Sequence, residues 1–342
     1  MKRNKLILVI VALAFCTACG AKEDYGTTII EKNDSAIEIE GTTEIQTVEP
    51  IKAVENEVYE GEIEFNMPGH RVSGLSAGGE IVALTVLDDN LRYKIAVTDF
   101  ENNKFTLLDY EIPENTVVIK TCVNVDNHIF ILLTDAEKYQ MDGVDCLKMV
   151  GDDTRIVELD RIGKEIGSVS VTDYFSNMLY KRFSMCADTE GNCYFAYEER
   201  IDRISNSGEV TEIIGDKDLE VEVISVNGNA VSCIYLDSNY EEAVGFASDG
   251  RIDKLPIEIP EYSATYYDIC TVNNDIYLLN QEGGIWKYTD SEKELSCIME
   301  KEEMPISGHD IYGAAFLDNG SVCLMRRIDD LISELYFTKI DE

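Results

Sequence analysis

Positive charge is what this sequence has least of. Its 342 residues include 29 lysines and arginines against 66 aspartates and glutamates, a formal net charge of -37. Nucleic acids are held by clustered cations that displace counterions, so a surface this acidic excludes them as partners. Histidine is scarce as well. His70, His128 and His309 lie far apart, each beside an expected turn, and no local spacing gathers imidazoles as a catalytic metal site does. No apolar stretch reaches the roughly 20 residues that a membrane-spanning helix needs. Phosphate loops, the HExxH pair and the nucleophile elbow are missing too, which leaves no local signature of catalysis. What is present is 45% apolar content, enough for a real core in a chain of this length.

The chain opens with Lys2, Arg3 and Lys5, followed by ten apolar residues from Leu6 to Phe15. A basic cluster ahead of an apolar run too short to cross a bilayer reads as an export signal. Thr17, Ala18, Cys19 and Gly20 come next. They resemble the lipobox of bacterial lipoproteins, in which small residues precede a cysteine that is lipidated and becomes the new N-terminus. Cys16 fits that role poorly, because Phe15 occupies the position where a small residue is needed. The resemblance implies that residues 1–18 are a signal peptide and that Cys19 carries the lipid. Removal of three basic residues would leave 26 basic against 66 acidic, a mature charge of -40. Two acyl chains suffice for stable anchoring where one is marginal, so the expected address is the outer face of the cell membrane. Residues 19–57 are acidic and threonine-rich, with no aromatic after Tyr25, and are expected to form a disordered tether. A flexible segment of that length spans on the order of 35 Å.

From residue 58 to 342 short apolar strands alternate with turn residues, and no amphipathic helix stands out. One turn series reads ENNK (101–104), IGKE (162–165), NSGE (206–209), SDGR (248–251) and DSEK (290–293), with starts 61, 44, 42 and 42 residues apart. A second runs in step: AGGE (77–80), VDNH (125–128), TEGN (189–192), VNGN (226–229), VNND (272–275) and LDNG (317–320). Each member of the second series precedes an apolar run such as IVALTV, IFILLT or VSCIYL, suited to a buried second strand. Repetition near this period is the mark of propeller blades. The expected fold is therefore all-β, a six-bladed β-propeller, seven blades being the alternative count. The 61-residue interval fits one oversized blade with a long hairpin over 138–154. The last blade has three strands, at about 310–317, 321–328 and 333–340, and VYEGEIEFNM (58–67) is expected to supply its fourth and close the ring.

This pattern over residues 58–342 resembles the propeller domains of bacterial cell-surface lipoproteins, including modules that precede solute-binding domains. The resemblance is architectural and implies recognition through loop faces rather than a fixed catalytic set.

Eight cysteines lie beyond Cys19, most of them inside apolar strands, where cysteine packs as a small hydrophobe. Export permits disulfides, and Cys186 with Cys193, flanking ADTEGN, is the pair favoured if one forms. Asp126, Asp188, Asp275 and Asp318 precede the second strands and are expected to serve as turn formers. No metal site and no cofactor is expected, calcium being the one alternative, since the calcium-loop glycine patterns are missing. Ligand-binding candidates are exposed aromatics: Tyr139, beside Met141 on the long hairpin, and Tyr262, Tyr266 and Tyr267 on a loop leading into the fifth blade. The first reading is thus a non-catalytic, lipid-anchored binding or scaffold module for a peptide, glycan or envelope protein partner. A divalent-cation-dependent surface hydrolase or lyase, with its site at the propeller channel, is the alternative. A structural subunit of an envelope complex is the third reading.

Overall fold

The computed structural model describes residues 60–342, apart from 142, 177, 229, 258–265, 273–274, 281–283, 290, 301, 307–309, 319–320, 329–331 and 340–342. The expected signal peptide, Cys19 and the tether lie outside the described residues, as do Tyr262 and His309.

Runs rich in Val, Ile and aromatics, punctuated by Asp, Asn and Gly, extend as strands and reverse at the punctuation. β1 (Gly61–Asn66) stands apart at the start. Blade 1 is β2 (His70–Gly78), β3 (Ile81–Asp88), β4 (Tyr93–Asp99) and β5 (Lys104–Leu107). Blade 2 is β6 (Thr116–Val123), β7 (Ile129–Met141), β8 (Val144–Leu159) and β9 (Glu165–Ser170). One helical turn, α1 (Thr172–Phe175), unforeseen in the sequence, leads into blade 3. Blade 3 is β10 (Ser184–Ala187), β11 (Cys193–Tyr197), β12 (Arg200–Ile204) and β13 (Val210–Gly215). Blade 4 is β14 (Glu220–Asn227), β15 (Ala230–Leu236), β16 (Glu242–Ser248) and β17 (Arg251–Lys254). Blade 5 is β18 (Tyr266–Val272), β19 (Asp275–Asn280), β20 (Ile285–Thr289) and β21 (Glu294–Met299). Blade 6 takes β22 (Ile311–Phe316), β23 (Ser321–Arg327) and β24 (Ile332–Lys339) from the end of the chain and β1 from its start.

Each blade is a four-stranded antiparallel sheet, and the first strands touch in the order β2, β6, β10, β14, β18, β22 and back to β2, a closed ring of six. β1 pairs with β24 from Gly61↔Phe337 to Asn66↔Ile332, so the expected closure by the N-terminal strand is what the fold uses. The long hairpin is also where it was expected. β7 and β8 run on past their neighbours as a two-stranded ribbon, paired from Ala136↔Met149 to Met141↔Val144.

The core is divided among the blade interfaces. Six clusters of buried side chains occur among the described residues, one between each pair of adjacent blades. The closing strand belongs to one of them: Ile63 and Phe65 are each 1% exposed and pack with Val82, Leu84 and Phe105 of blade 1. Burial of that kind, at about 25 cal/mol per Å² of apolar surface, is what holds a blade to its neighbour.

One turn device recurs. Asp88, Asn124, Asp160, Asp188 and Asp237 each accept, through side-chain Oδ1, the N–H groups two and four residues ahead. The fourth residue of each turn has positive φ: Leu91, Asn127, Gly163, Gly191 and Tyr240. Short acceptors at the first position stabilise such turns, which accounts for several of the chain's acidic residues. The expectation for the four aspartates is corrected in part. Asp188 forms its turn, whereas at 124–128 the work falls to Asn124 rather than Asp126. Asp275 pairs with Lys287 at 3.1 Å, and Asp318 accepts the main-chain N–H of Gly79 in blade 1.

Candidate functional site

Six parallel inner edges leave a shaft along the propeller axis. Its cavity measures about 260 Å³ and is lined by residues of all six inner strands or the segments flanking them. Five of these strands carry a bulge at matching places, where Ser73, Ile119, Glu222, Tyr267 and Tyr312 are the extra residues. A bulge locally rotates the following side chains relative to strict alternation. Lys120 and Asp268 immediately follow their bulges, Glu222 is itself a bulge residue, and Arg182 lies two residues before β10. All four line the shaft, as does Asp318 two residues past β22.

Three positions beyond each bulge residue, and at the matching place in blade 3, stands a ring of small side chains, one from each blade in turn: Ser76, Cys122, Cys186, Ser225, Cys270 and Ala315. Strands converging on an axis leave little room, and at Gly78 a Cβ would collide with the Val123 carbonyl oxygen of blade 2. At this level the ring is closed by polar clasps between blades. The Asn124 amide donates to the Asp188 carbonyl at 2.9 Å, and the Asn227 amide to the Thr271 carbonyl at 2.7 Å. Buried hydroxyls add to them: Thr85 meets Thr121 at 2.9 Å and Ser232 meets Thr271 at 2.7 Å.

The electrostatics of the shaft follow from enclosure. Lys120 is open to the shaft lumen yet ringed by protein, and burial lowers its ammonium from the ordinary lysine value, with the Asp268 charge opposing. Burial raises the Asp268 carboxyl to about 7, while main-chain N–H groups of Ile269 and Phe316 and the charge of Lys120 pull it back down. Burial also raises Glu222, opposed by Arg182. Lys120 and Asp268 come from blades 2 and 5, on opposite sides of the ring, and Arg182 and Glu222 from the neighbouring blades 3 and 4. Among the described residues none of the four closes an ion pair. Burial likewise pushes the Cys122 thiol up to about 12 and raises Cys186 and Cys270 well above the ordinary thiol value. Thiols so placed stay protonated and are poor nucleophiles.

The Cys186–Cys193 pairing is corrected. All eight described cysteines are free thiols. In the β10–β11 register Cys193 faces Ala187, and Cys186 faces Tyr194, so the two side chains project from opposite faces of the sheet. Cys193 packs toward blade 2 and Cys186 toward blade 4.

The tyrosines are dispersed. Tyr139 is exposed on the ribbon of blade 2, opposite Cys146. Tyr266 and Tyr267 open strand β18 of blade 5 rather than a loop, and their side chains lie outside the described residues. His70 places Nδ1 3.0 Å from the Pro68 carbonyl, and His128 places Nδ1 2.7 Å from Glu158 Oε1. Among the described residues no group of three or more His, Cys, Asp and Glu is gathered as a metal would require.

The four shaft charges were missed in the sequence. For Lys120, Glu222 and Asp268 the signal is a charge inside an otherwise apolar strand, as in VVIKTCV, EVEVISV and YYDICTV, whereas Arg182 lies outside any strand.

No family model matches the chain, and no curated protein does. Solved structures do. The β-propeller domain of the Trilobed protease from Pyrococcus furiosus is 10% identical, with 80% of this chain and 98% of that chain covered and a TM-score of 0.43. Oligogalacturonate lyase from Vibrio parahaemolyticus is 9% identical, with 76% and 75% covered and a TM-score of 0.45. YCF48 bound to D1 peptide is 10% identical, with 83% and 97% covered and a TM-score of 0.45.

Proposed function

We propose that the chain is an exported, lipid-anchored binding module whose recognition site is the axial shaft of its propeller. The supporting observation is the set of four charged side chains, Lys120, Arg182, Glu222 and Asp268, held on consecutive blades without ion-pair partners of their own. Of these, Lys120, Glu222 and Asp268 are charges that burial disfavours, and a ligand entering the shaft supplies the pairing that the fold does not. The three thiols there stay protonated, which gives the shaft binding groups but no activated cysteine nucleophile. The address rests on the lipobox resemblance at Thr17–Gly20, and the acidic segment 19–57 holds the propeller away from the headgroups.

Two measurements test this. Metabolic labelling with a palmitate analogue is expected to mark the wild type and to fail in Cys19→Ala, and equal labelling would refute the anchor. Binding of a fluorescent peptide and glycan library to the full chain is expected to weaken at least tenfold in a Lys120→Gln, Asp268→Asn double variant. Library members bound equally by both forms would place recognition elsewhere.

A further inference from the structure

The charges in the shaft are sorted by side. Blades 2 and 3 contribute the cations Lys120 and Arg182, and blades 4 and 5 contribute the anions Glu222 and Asp268. Blades 6 and 1 complete the circle with the small, uncharged Ala314, Ala315, Ser76 and Ala77 and with a third carboxylate, Asp318, which accepts the Gly79 N–H on the anionic side of the ring. The shaft is therefore dipolar across its width, two cations facing three carboxylates, inside a protein of net charge -37. That combination selects against single charges. An anion meeting the cationic half must approach a strongly acidic protein and then sit facing three carboxylates. A simple cation meets the opposite penalty inside and competing carboxylates everywhere outside. A molecule carrying both signs satisfies both halves at once.

The groups are positioned for such a ligand. Asp268 is fixed by two main-chain donors, Ile269 N–H at 3.0 Å and Phe316 N–H, so its carboxylate is oriented before anything binds. Arg182 offers a planar fork suited to a carboxylate, and Lys120 a mobile point charge across from Asp268. The cavity of about 260 Å³ is just below the range of about 300 to 1,000 Å³ that drug-sized ligands occupy, which sets the ligand as small. The neighbouring wall of Cys122, Cys186 and Cys270 is uncharged and accepts an apolar substituent.

We propose that the shaft binds a small zwitterion of the α-amino acid class, its carboxylate on Lys120 and Arg182 and its ammonium on Glu222 and Asp268. This rests on the reading of the shaft as the recognition site and names the ligand class for it.

The test is calorimetric titration of the full chain with each of the twenty α-amino acids. The tightest binder is then compared with its N-acetyl and amide derivatives, which keep the side chain and lose one charge each. The parent is expected to bind at least tenfold more tightly than either derivative. Lys120→Gln and Asp268→Asn are each expected to weaken it at least tenfold, with Glu222→Gln as a third variant, and a single cooperative melting transition with the wild-type circular dichroism spectrum shows that each variant folds. Derivatives binding as well as the parent, variants binding unchanged, or no heat from any amino acid would overturn the proposal. Blocked peptides that bind the wild type and lose affinity in the shaft variants would sink the zwitterion class while leaving the shaft as the site. Blocked peptides whose binding ignores those variants would remove both.

Discussion

Replacing Phe65 by alanine tests whether the ring is closed by burial or by hydrogen bonding alone. Phe65, the next-to-last residue of β1, is 1% exposed and meets Phe105 of blade 1 edge to face with ring centroids 5.9 Å apart. Its backbone pairs with Ser333 of blade 6, so the one residue ties the first blade to the last. Truncating a fully buried phenylalanine costs about 3 to 5 kcal/mol, the transfer term plus the cavity left behind. Part of that, about 0.5 to 1.5 kcal/mol, is the aromatic pair itself. The pairing of β1 with β24 is untouched by the substitution, so a ring held mainly by that ladder would lose far less. Guanidinium unfolding followed by far-ultraviolet circular dichroism and by the fluorescence of Trp286 gives the difference. Glu64→Ala is the control, since Glu64 is exposed on the same strand and a surface change of that sort stays within about 0.5 kcal/mol. A loss below about 1 kcal/mol for Phe65→Ala would refute the claim that β1 is core rather than a strap laid over an edge.

Three further outcomes are expected. Asn124→Ala removes two turn acceptor contacts and the clasp to blade 3 from a residue 2% exposed, and should cost about 1 to 3 kcal/mol in the same unfolding assay. Asp202, fully buried in blade 3, accepts from Tyr174 at 2.9 Å, Tyr197 at 3.2 Å and Arg200 at 3.1 Å. Asp202→Ala strands those donors and should cost about 3 kcal/mol, the low end for a broken buried pair because Arg200 keeps Glu212. Asp268 gives a signed pH dependence. Its folded carboxyl is raised to about 7, so between the ordinary carboxylate value and 7 the folded chain holds a proton that the unfolded chain has released. That proton's contribution is complete at low pH and is lost as pH rises through 7. The stability of wild type relative to Asp268→Asn should therefore fall over that window, by on the order of 2 kcal/mol once water in the shaft is allowed for. A difference that stays flat from pH 4 to 8 would contradict it.

Much of the fold was legible because its signals are local and repeated. The strand that closes blade 6 could be placed from the unpaired VYEGEIEFNM and from a final blade short of one strand. The six second strands were readable because a strand buried on both faces is apolar at nearly every position, as in IVALTV and IFILLT, each broken only by a threonine. The oversized blade declared itself as a 61-residue interval. The assignment of turn acids was less secure. An acceptor at the first position and one two residues later look alike in VNVDNH, and the choice between Asn124 and Asp126 depends on where the hairpin register begins.

The shaft resisted reading for a different reason. A period-two pattern assigns each side chain to a face, and one extra residue inverts the assignment for all that follow. Five inner strands contain such a residue, so Lys120 and Asp268, which strict alternation would put in an interface between blades, instead line the axis. The same local geometry undid the cysteine pairing. Cys186 and Cys193 flank one turn and look paired in sequence, but their register differs by one and places them on opposite faces. A charge inside an apolar strand is costly unless something turns it toward water or a partner. Three such strands in one ring therefore carry more information together than any of them does alone. Lys120, Glu222 and Asp268 lie within a residue of a bulge in the inner strands of blades 2, 4 and 5, so the bulges are what convert three awkward strands into one polar shaft.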